Sequence, residues 1–130
     1  MKRWIVWGGF AVLAVVVAVV VVSATVSEPL TRPDVVPWGD PERGQELMAE
    51  VGCNACHTVP GVQGADATVG PPLTRWSERV YIAGTLTNDP QNLLRWILDP
   101  DAIEPGTAMP DLGLTVQQAQ NIVAYLFTLD

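Results

Sequence analysis

Both cysteines and the single histidine of this chain lie within five consecutive positions, in the stretch CNACH at 53–57. Two cysteines three positions apart can form a disulfide, half of a zinc site or a redox dithiol. A structural zinc site needs four ligands, and only three cysteine or histidine residues exist here. A dithiol oxidoreductase needs a preceding strand in a βαβ context, which the sequence lacks. A disulfide leaves the adjacent histidine unexplained.

The same stretch has the pattern to which haem c is attached. Residues i and i+3 of a helical turn have Cβ atoms about 5–6 Å apart. Two thiols at that spacing can each bond one vinyl group of the same porphyrin, and the histidine that follows can bind the iron. The sequence therefore predicts one covalent haem on Cys53 and Cys56, with His57 as an iron ligand.

The charge of the chain limits its partners. Its net charge is −7, and residues 27–130 carry all 14 acidic residues against five arginines. Nucleic acid is excluded as a partner, because phosphate contacts need clusters of lysine and arginine. Docking on anionic lipid heads is disfavoured for the same reason. The acidic surface fits either a basic protein partner or a role in solubility.

The segment at 5–26 has no charged residue and consists mainly of valine, alanine, leucine and isoleucine. About 22 residues at ~1.5 Å per residue span roughly 33 Å, enough to cross the hydrocarbon core of a membrane. The lysine and arginine at positions 2 and 3 predict a cytoplasmic N-terminus. The alternative is a signal peptide cleaved after VSA at 22–24, but the apolar run is longer than the usual signal-peptide core.

We therefore predict three parts: a transmembrane anchor at 1–26, a proline-rich linker at 27–39 and a folded domain at 40–130. The protein is expected in the cell membrane as a single-pass protein. Its haem domain is expected on the periplasmic or extracytoplasmic side, where c-type haem is attached.

Capping residues predict three helices in the folded domain. The first runs through PERGQELMAEVG and stops near Gly52, the second is PQNLLRWIL before Pro100, and the third follows the capping box TVQQ. No stretch alternates over strand length, so the predicted fold is all-α, small and loop-rich. A domain of this size has little apolar core of its own, and a large buried cofactor would complete it.

The second iron ligand is expected to be a methionine. The chain has no second histidine, and its only lysine precedes the predicted membrane segment. Met48 lies on the first predicted helix, where a methionine is usually a core residue. Met109 lies in a loop between Pro105 and Pro110, which can hold a thioether against the open face of the iron. Met109 is the predicted ligand, and Met48 is the alternative.

Three further motifs follow CNACH in order: GPPL at 70–73, PGTAMP at 105–110, and YL at 125–126 in the closing helix. Together these motifs make residues 39–130 resemble a class I mono-haem cytochrome c, which has three or more helices around one haem. The stretch AGTLTNDPQNLLRWILDPDAIEPGTAMPDLGL is also similar to the cytochrome c domain fused to subunit II of some haem-copper oxidases. No copper-binding domain precedes it in this sequence, so the similarity is confined to the haem domain.

The resemblance implies roles for four further residues. The carbonyl of Pro71 should accept the Nδ1 hydrogen of His57. Thr107 should hydrogen-bond a haem propionate, and Arg79 should pair with one. Trp96 should lie beside the haem.

A haem iron with both axial positions filled has no site for oxygen or peroxide, and methionine–histidine ligation raises its reduction potential. The expected function is one-electron transfer by a membrane-anchored carrier in a respiratory or photosynthetic chain, not catalysis. The chain is expected to be a subunit of a larger membrane complex: an oxidase, alternative complex III or a reaction centre. The expected partners are the membrane and other electron-transfer proteins or subunits of that complex. The alternative is a haem-based ligand sensor or a peroxidase-like domain in which Met109 is displaceable.

Overall fold

The computed structural model describes residues 38–130. The predicted anchor and all but the last two residues of the predicted linker lie outside the described residues. No helix within 38–130 has the length and apolar character needed to cross a membrane. The elements, in chain order, are α1 (Pro41–Glu50), a 3₁₀ helix (Cys53–Ala55), a second 3₁₀ helix (Trp76–Glu78), β1 (Tyr81–Ile82), β2 (Leu86–Thr87), α2 (Pro90–Leu98), α3 (Pro100–Ile103) and α4 (Val116–Leu126).

The longer helices begin where their capping residues predicted. The carboxylates of Asp40 and Asp89 accept hydrogen bonds from the backbone N–H three residues ahead, at 3.1 and 2.9 Å. Thr115 and Gln118 cap each other reciprocally at the start of α4. These bonds satisfy N–H groups that have no partner within the helix, so the helix starts are determined locally.

Three short elements were not predicted from the sequence: the helix α3 and the strands β1 and β2. Pro100, predicted only as the end of α2, is also the first residue of the four-residue α3. β1 and β2 form a small antiparallel sheet, and Ala83 and Gly84 between them have φ values of 49° and 74°. Strands of two residues are too short to show an alternating pattern in sequence. The domain is therefore helical with a two-stranded sheet, which corrects the expectation of helices alone.

α1 and α4 approach each other closely at Gly44. A Cβ atom added there would lie 2.0 Å from the backbone oxygen of Asn121, so only glycine fits without a shift of one helix. The Asn121 side chain in turn accepts the backbone N–H of Asp40 at 3.0 Å. Two side chains of α4, Ile122 and Leu126, are buried and line the cavity described below. The helix pair thus forms one wall of that cavity.

Candidate functional site

The CNACH stretch forms one tight turn directly after α1. Gly52 has a φ of 90°, a value that favours glycine, and it starts the 3₁₀ helix at Cys53–Ala55. The backbone N–H of His57 donates to the carbonyl of Cys53 at 2.9 Å, which closes the turn. Neither cysteine is in a disulfide. Burial raises the pKa of the Cys53 thiol to about 11, whereas dithiol oxidoreductases lower the pKa of their reactive thiol.

The imidazole of His57 is held from one side by the segment at 70–71. Its Nδ1 lies 2.7 Å from the carbonyl oxygen of Pro71. Because a carbonyl only accepts, this contact places the hydrogen on Nδ1 and leaves Nε2 as the free ligand nitrogen. A Cβ atom added at Gly70 would lie 2.5 Å from His57 Cε1, so the ring occupies the space that any side chain would need. The backbone N–H of Gly70 donates to the backbone carbonyl of Cys56 at 2.7 Å, which keeps the segment at 70–71 against the CNACH turn.

A cavity of about 340 Å³ opens beside this turn. Core side chains such as Leu93, Ile97 and Leu126 form its apolar wall. All eight site residues predicted from the sequence line it: Cys53, Cys56, His57, Pro71, Arg79, Trp96, Thr107 and Met109. Residues separated by up to 56 positions therefore meet around one space.

Both candidate methionines reach this cavity. Met109 is half-buried on the loop between α3 and α4, and its backbone N–H donates to the Thr107 hydroxyl at 3.4 Å. Two hydrogen bonds brace the loop before it, from the N–H of Thr107 to the Glu104 carbonyl and from that of Gly106 to a side-chain oxygen of Asp101. Met48 instead is 1% exposed within the packed core.

Arg79 and two tryptophans form the polar and aromatic part of the cavity wall. The Arg79 guanidinium lies 4.8 Å from the ring centroid of Trp76 and donates to the carbonyl of Pro72. Burial lowers the pKa of Arg79 from its usual value. Trp96 and Trp76 are 9% and 4% exposed. Trp76 was not predicted from the sequence; its spacing of three residues from Arg79, which places both on one turn, was the available signal.

The donor set of this cavity fits a covalent haem. It offers two thiols, one imidazole with Nε2 free, and thioether sulfur, while the surrounding wall is largely apolar. Thiols at this spacing anchor a porphyrin edge, and nitrogen and thioether sulfur are haem iron ligands. Gly70 also supports this assignment, because the absence of a side chain there leaves room for the imidazole of His57.

Fold and site together define a class of protein. Residues 41–130 match the sequence model of the family described as Cytochrome c. The chain belongs to the cytochrome c family, which confirms the resemblance noted in the sequence. Membership implies a covalently bound haem c and a role in electron transfer.

The relatives found among curated proteins are similar in one part of their length. The chain is 35% identical over 88 residues to cytochrome c oxidase subunit 2 of Alkalihalophilus pseudofirmus, covering 67% of this chain and 25% of that protein. It is 37% identical over 70 residues to cytochrome c oxidase subunit 2 of Bacillus subtilis, covering 52% and 20%. The chain therefore spans a quarter or less of the length of these relatives.

Proposed function

We propose that this chain is a membrane-anchored mono-haem cytochrome c that carries single electrons within an electron-transport chain. The observation that carries the proposal is the cavity whose wall contains Cys53, Cys56, His57 and Met109. This set comprises both thiols of the chain, its sole imidazole and a thioether on a proline-bracketed loop. One covalent haem with histidine–methionine ligation uses these groups.

The residues of the site favour electron transfer over ligand chemistry. When bound, the haem supplies reversible one-electron oxidation and reduction. The Pro71 carbonyl orients the His57 ring and keeps Nε2 free for the iron. Thr107 accepts the N–H of Met109 and so restrains the loop that presents the thioether. If His57 and Met109 both hold the iron of a bound haem, oxygen or peroxide would have no binding site, which disfavours the sensor and peroxidase-like alternatives.

The partner we propose is a haem-copper oxidase. Support comes from the relatives, which are named cytochrome c oxidase subunit 2 and match this chain over 88 and 70 residues. We place the haem domain on the periplasmic or extracytoplasmic side, held by the apolar segment at 5–26.

A native preparation tests the proposal directly. Membranes solubilised in mild detergent should yield the chain together with subunits of an oxidase, as identified by mass spectrometry. The haem of this chain should be low-spin in both oxidation states, and its reduced spectrum should not change when carbon monoxide is added. The matched control is the Met109→Ala protein, whose reduced haem should bind carbon monoxide.

Two other results would redirect the proposal. Carbon monoxide binding by the unmodified protein would favour a sensor or peroxidase-like domain. Recovery with alternative complex III or a reaction centre would retain electron transfer and replace the oxidase as partner.

The pH response of the oxidised protein should also be distinctive. In class I cytochromes c a deprotonated lysine commonly replaces the methionine at high pH, but residues 3–130 contain no lysine. Arginine cannot substitute, because it stays protonated. We expect no lysine-ligated alkaline form, and an alkaline titration followed by electron paramagnetic resonance should leave solvent as the only replacement for the thioether.

The Lys2→Ala protein serves as the control for this titration, since Lys2 is the only lysine of the chain. It should titrate like the unmodified protein. A nitrogen-ligated low-spin form that disappears in Lys2→Ala would contradict the predicted topology, because it would place Lys2 on the same side of the membrane as the haem.

A further inference from the structure

The turn between β1 and β2 contains a residue that its backbone conformation disfavours. The N–H of Thr85 donates to the carbonyl of Ile82 at 3.1 Å, and the two residues between them, Ala83 and Gly84, have φ values of 49° and 74°. Positive φ at both central positions is typical of a type I′ turn, which favours asparagine, aspartate or glycine at the first of them. Alanine at position 83 therefore makes this turn less stable than those residues would.

This conformation is rare in the described part of the chain. Apart from glycines, only Ala83 and Arg75 have a positive φ among residues 38–130. Arg75 is exposed and does not line the cavity, whereas Ala83 does line it. Residues in unfavourable backbone conformations concentrate at functional sites. The position of Ala83 therefore indicates that its side chain acts at the cavity.

The cavity opens to solvent between side chains that are mostly apolar. We call the exposed residues that line the cavity its mouth. Glu104 is the one carboxylate among them, and the others are Val69, Pro71, Tyr81, Ala83, Ala108 and Pro110. An asparagine at position 83, which the turn would favour, would place an amide group in this mouth.

The two central positions of the turn differ in their relation to the cavity. Ile82 is 1% exposed, lines the cavity and pairs with Leu86 in the sheet, which fixes where Ala83 follows it. Gly84, the next residue of the same turn, does not line the cavity, and a Cβ atom added there would meet nothing within 4 Å. A side chain at position 83 thus borders the cavity, and one at position 84 lies in open space.

We propose that Ala83 raises the reduction potential, because its methyl group keeps water away from the bound haem at the cavity mouth. This inference rests on the proposed function, which supplies the haem. An apolar surrounding lowers the local dielectric constant and so disfavours the oxidised state, which carries one more positive charge. Alanine serves this role where the turn alone would favour a polar residue or glycine, and the less stable turn is the consequence.

The first test places the same amide at the two central positions of the turn. Ala83→Asn puts it at the cavity mouth, and Gly84→Asn, the matched control, puts it in open space. Asparagine tolerates a positive φ at either position. In potentiometric titrations of the holoproteins, Ala83→Asn should have a lower reduction potential and Gly84→Asn an unchanged one. A potential that stays the same in Ala83→Asn, or falls equally in both variants, would overturn the proposal.

The second test measures the turn itself by hydrogen exchange. In the reduced, diamagnetic holoprotein, nuclear magnetic resonance should show the Thr85 N–H exchanging with deuterium severalfold more slowly in Ala83→Asn than in the unmodified protein, since asparagine favours the turn. Equal or faster exchange would contradict the inference that alanine weakens the turn for the benefit of the cavity. An unmodified protein that never acquires covalent haem would instead overturn the proposed function.

Discussion

Replacing both Cys53 and Cys56 with alanine is expected to abolish covalent haem. After denaturation and extraction with acidified organic solvent, all haem of the unmodified protein should stay with the polypeptide, and none should stay with the double variant. The reason is that these are the only thiols in the chain and both line the cavity. Haem staining of denaturing gels and the intact mass measure the result.

The loss of haem should also prevent stable folding. Core side chains such as Leu93 and Ile97 form the wall of the 340 Å³ cavity. Without haem these apolar side chains would be exposed to water, and each would lose roughly 1.5–3 kcal/mol of burial. Several such losses together approach the whole stability of a domain, about 5–15 kcal/mol. We therefore expect the double variant to be recovered at low yield and degraded.

Two variants control this experiment. Ala55→Ser changes an exposed residue of the same turn and leaves the thiols intact, so it should mature normally. A single Cys53→Ala change should leave one thioether bond and a smaller amount of covalent haem. Covalent haem in the double variant would show that attachment does not depend on these thiols, and would contradict the proposed site.

Met109→Ala is expected to retain covalent haem but to open the sixth iron position. The oxidised spectrum should become partly high-spin, and the weak far-red band that reports sulfur ligation should disappear. The reduction potential should fall by tenths of a volt, since thioether ligation favours the reduced state and axial ligands set haem potentials over about 0.8 V. Optical spectroscopy and a potentiometric titration measure both effects.

Met48→Leu is the matched control, because Met48 is the other methionine among residues 38–130 and also lines the cavity. Leucine replaces methionine with little change of volume, so the cost to stability should be below about 1.5 kcal/mol. The far-red band should persist in this variant. Loss of the band in Met48→Leu, with an unchanged spectrum in Met109→Ala, would assign the iron ligand to Met48.

The sequence predicted those features that depend on neighbours in the chain. The caps at Asp40, Asp89 and Thr115 act within one turn, so the starts of three helices followed from local residues. The short strands and α3 were missed. A strand of two residues is too short to show an alternation of apolar and polar residues. Pro100, which was predicted to end α2, is also the first residue of α3. The cytochrome c family, as the motif order indicated, is confirmed.

The residues of the candidate site could be named from motifs, but their contacts required the tertiary structure. The distance from His57 to Pro71 and the fit of its ring over Gly70 depend on how the loop at 58–70 returns to the turn. Nothing near Trp76 in the sequence indicates that its indole N–H is buried without an acceptor among residues 38–130, or that the Asn88 side chain donates to the Trp76 carbonyl. Local hydrogen bonds determined the helix starts and the haem-attachment turn from the sequence alone. Burial and long-range packing, which no local pattern encodes, decided which donors face the cavity without a partner.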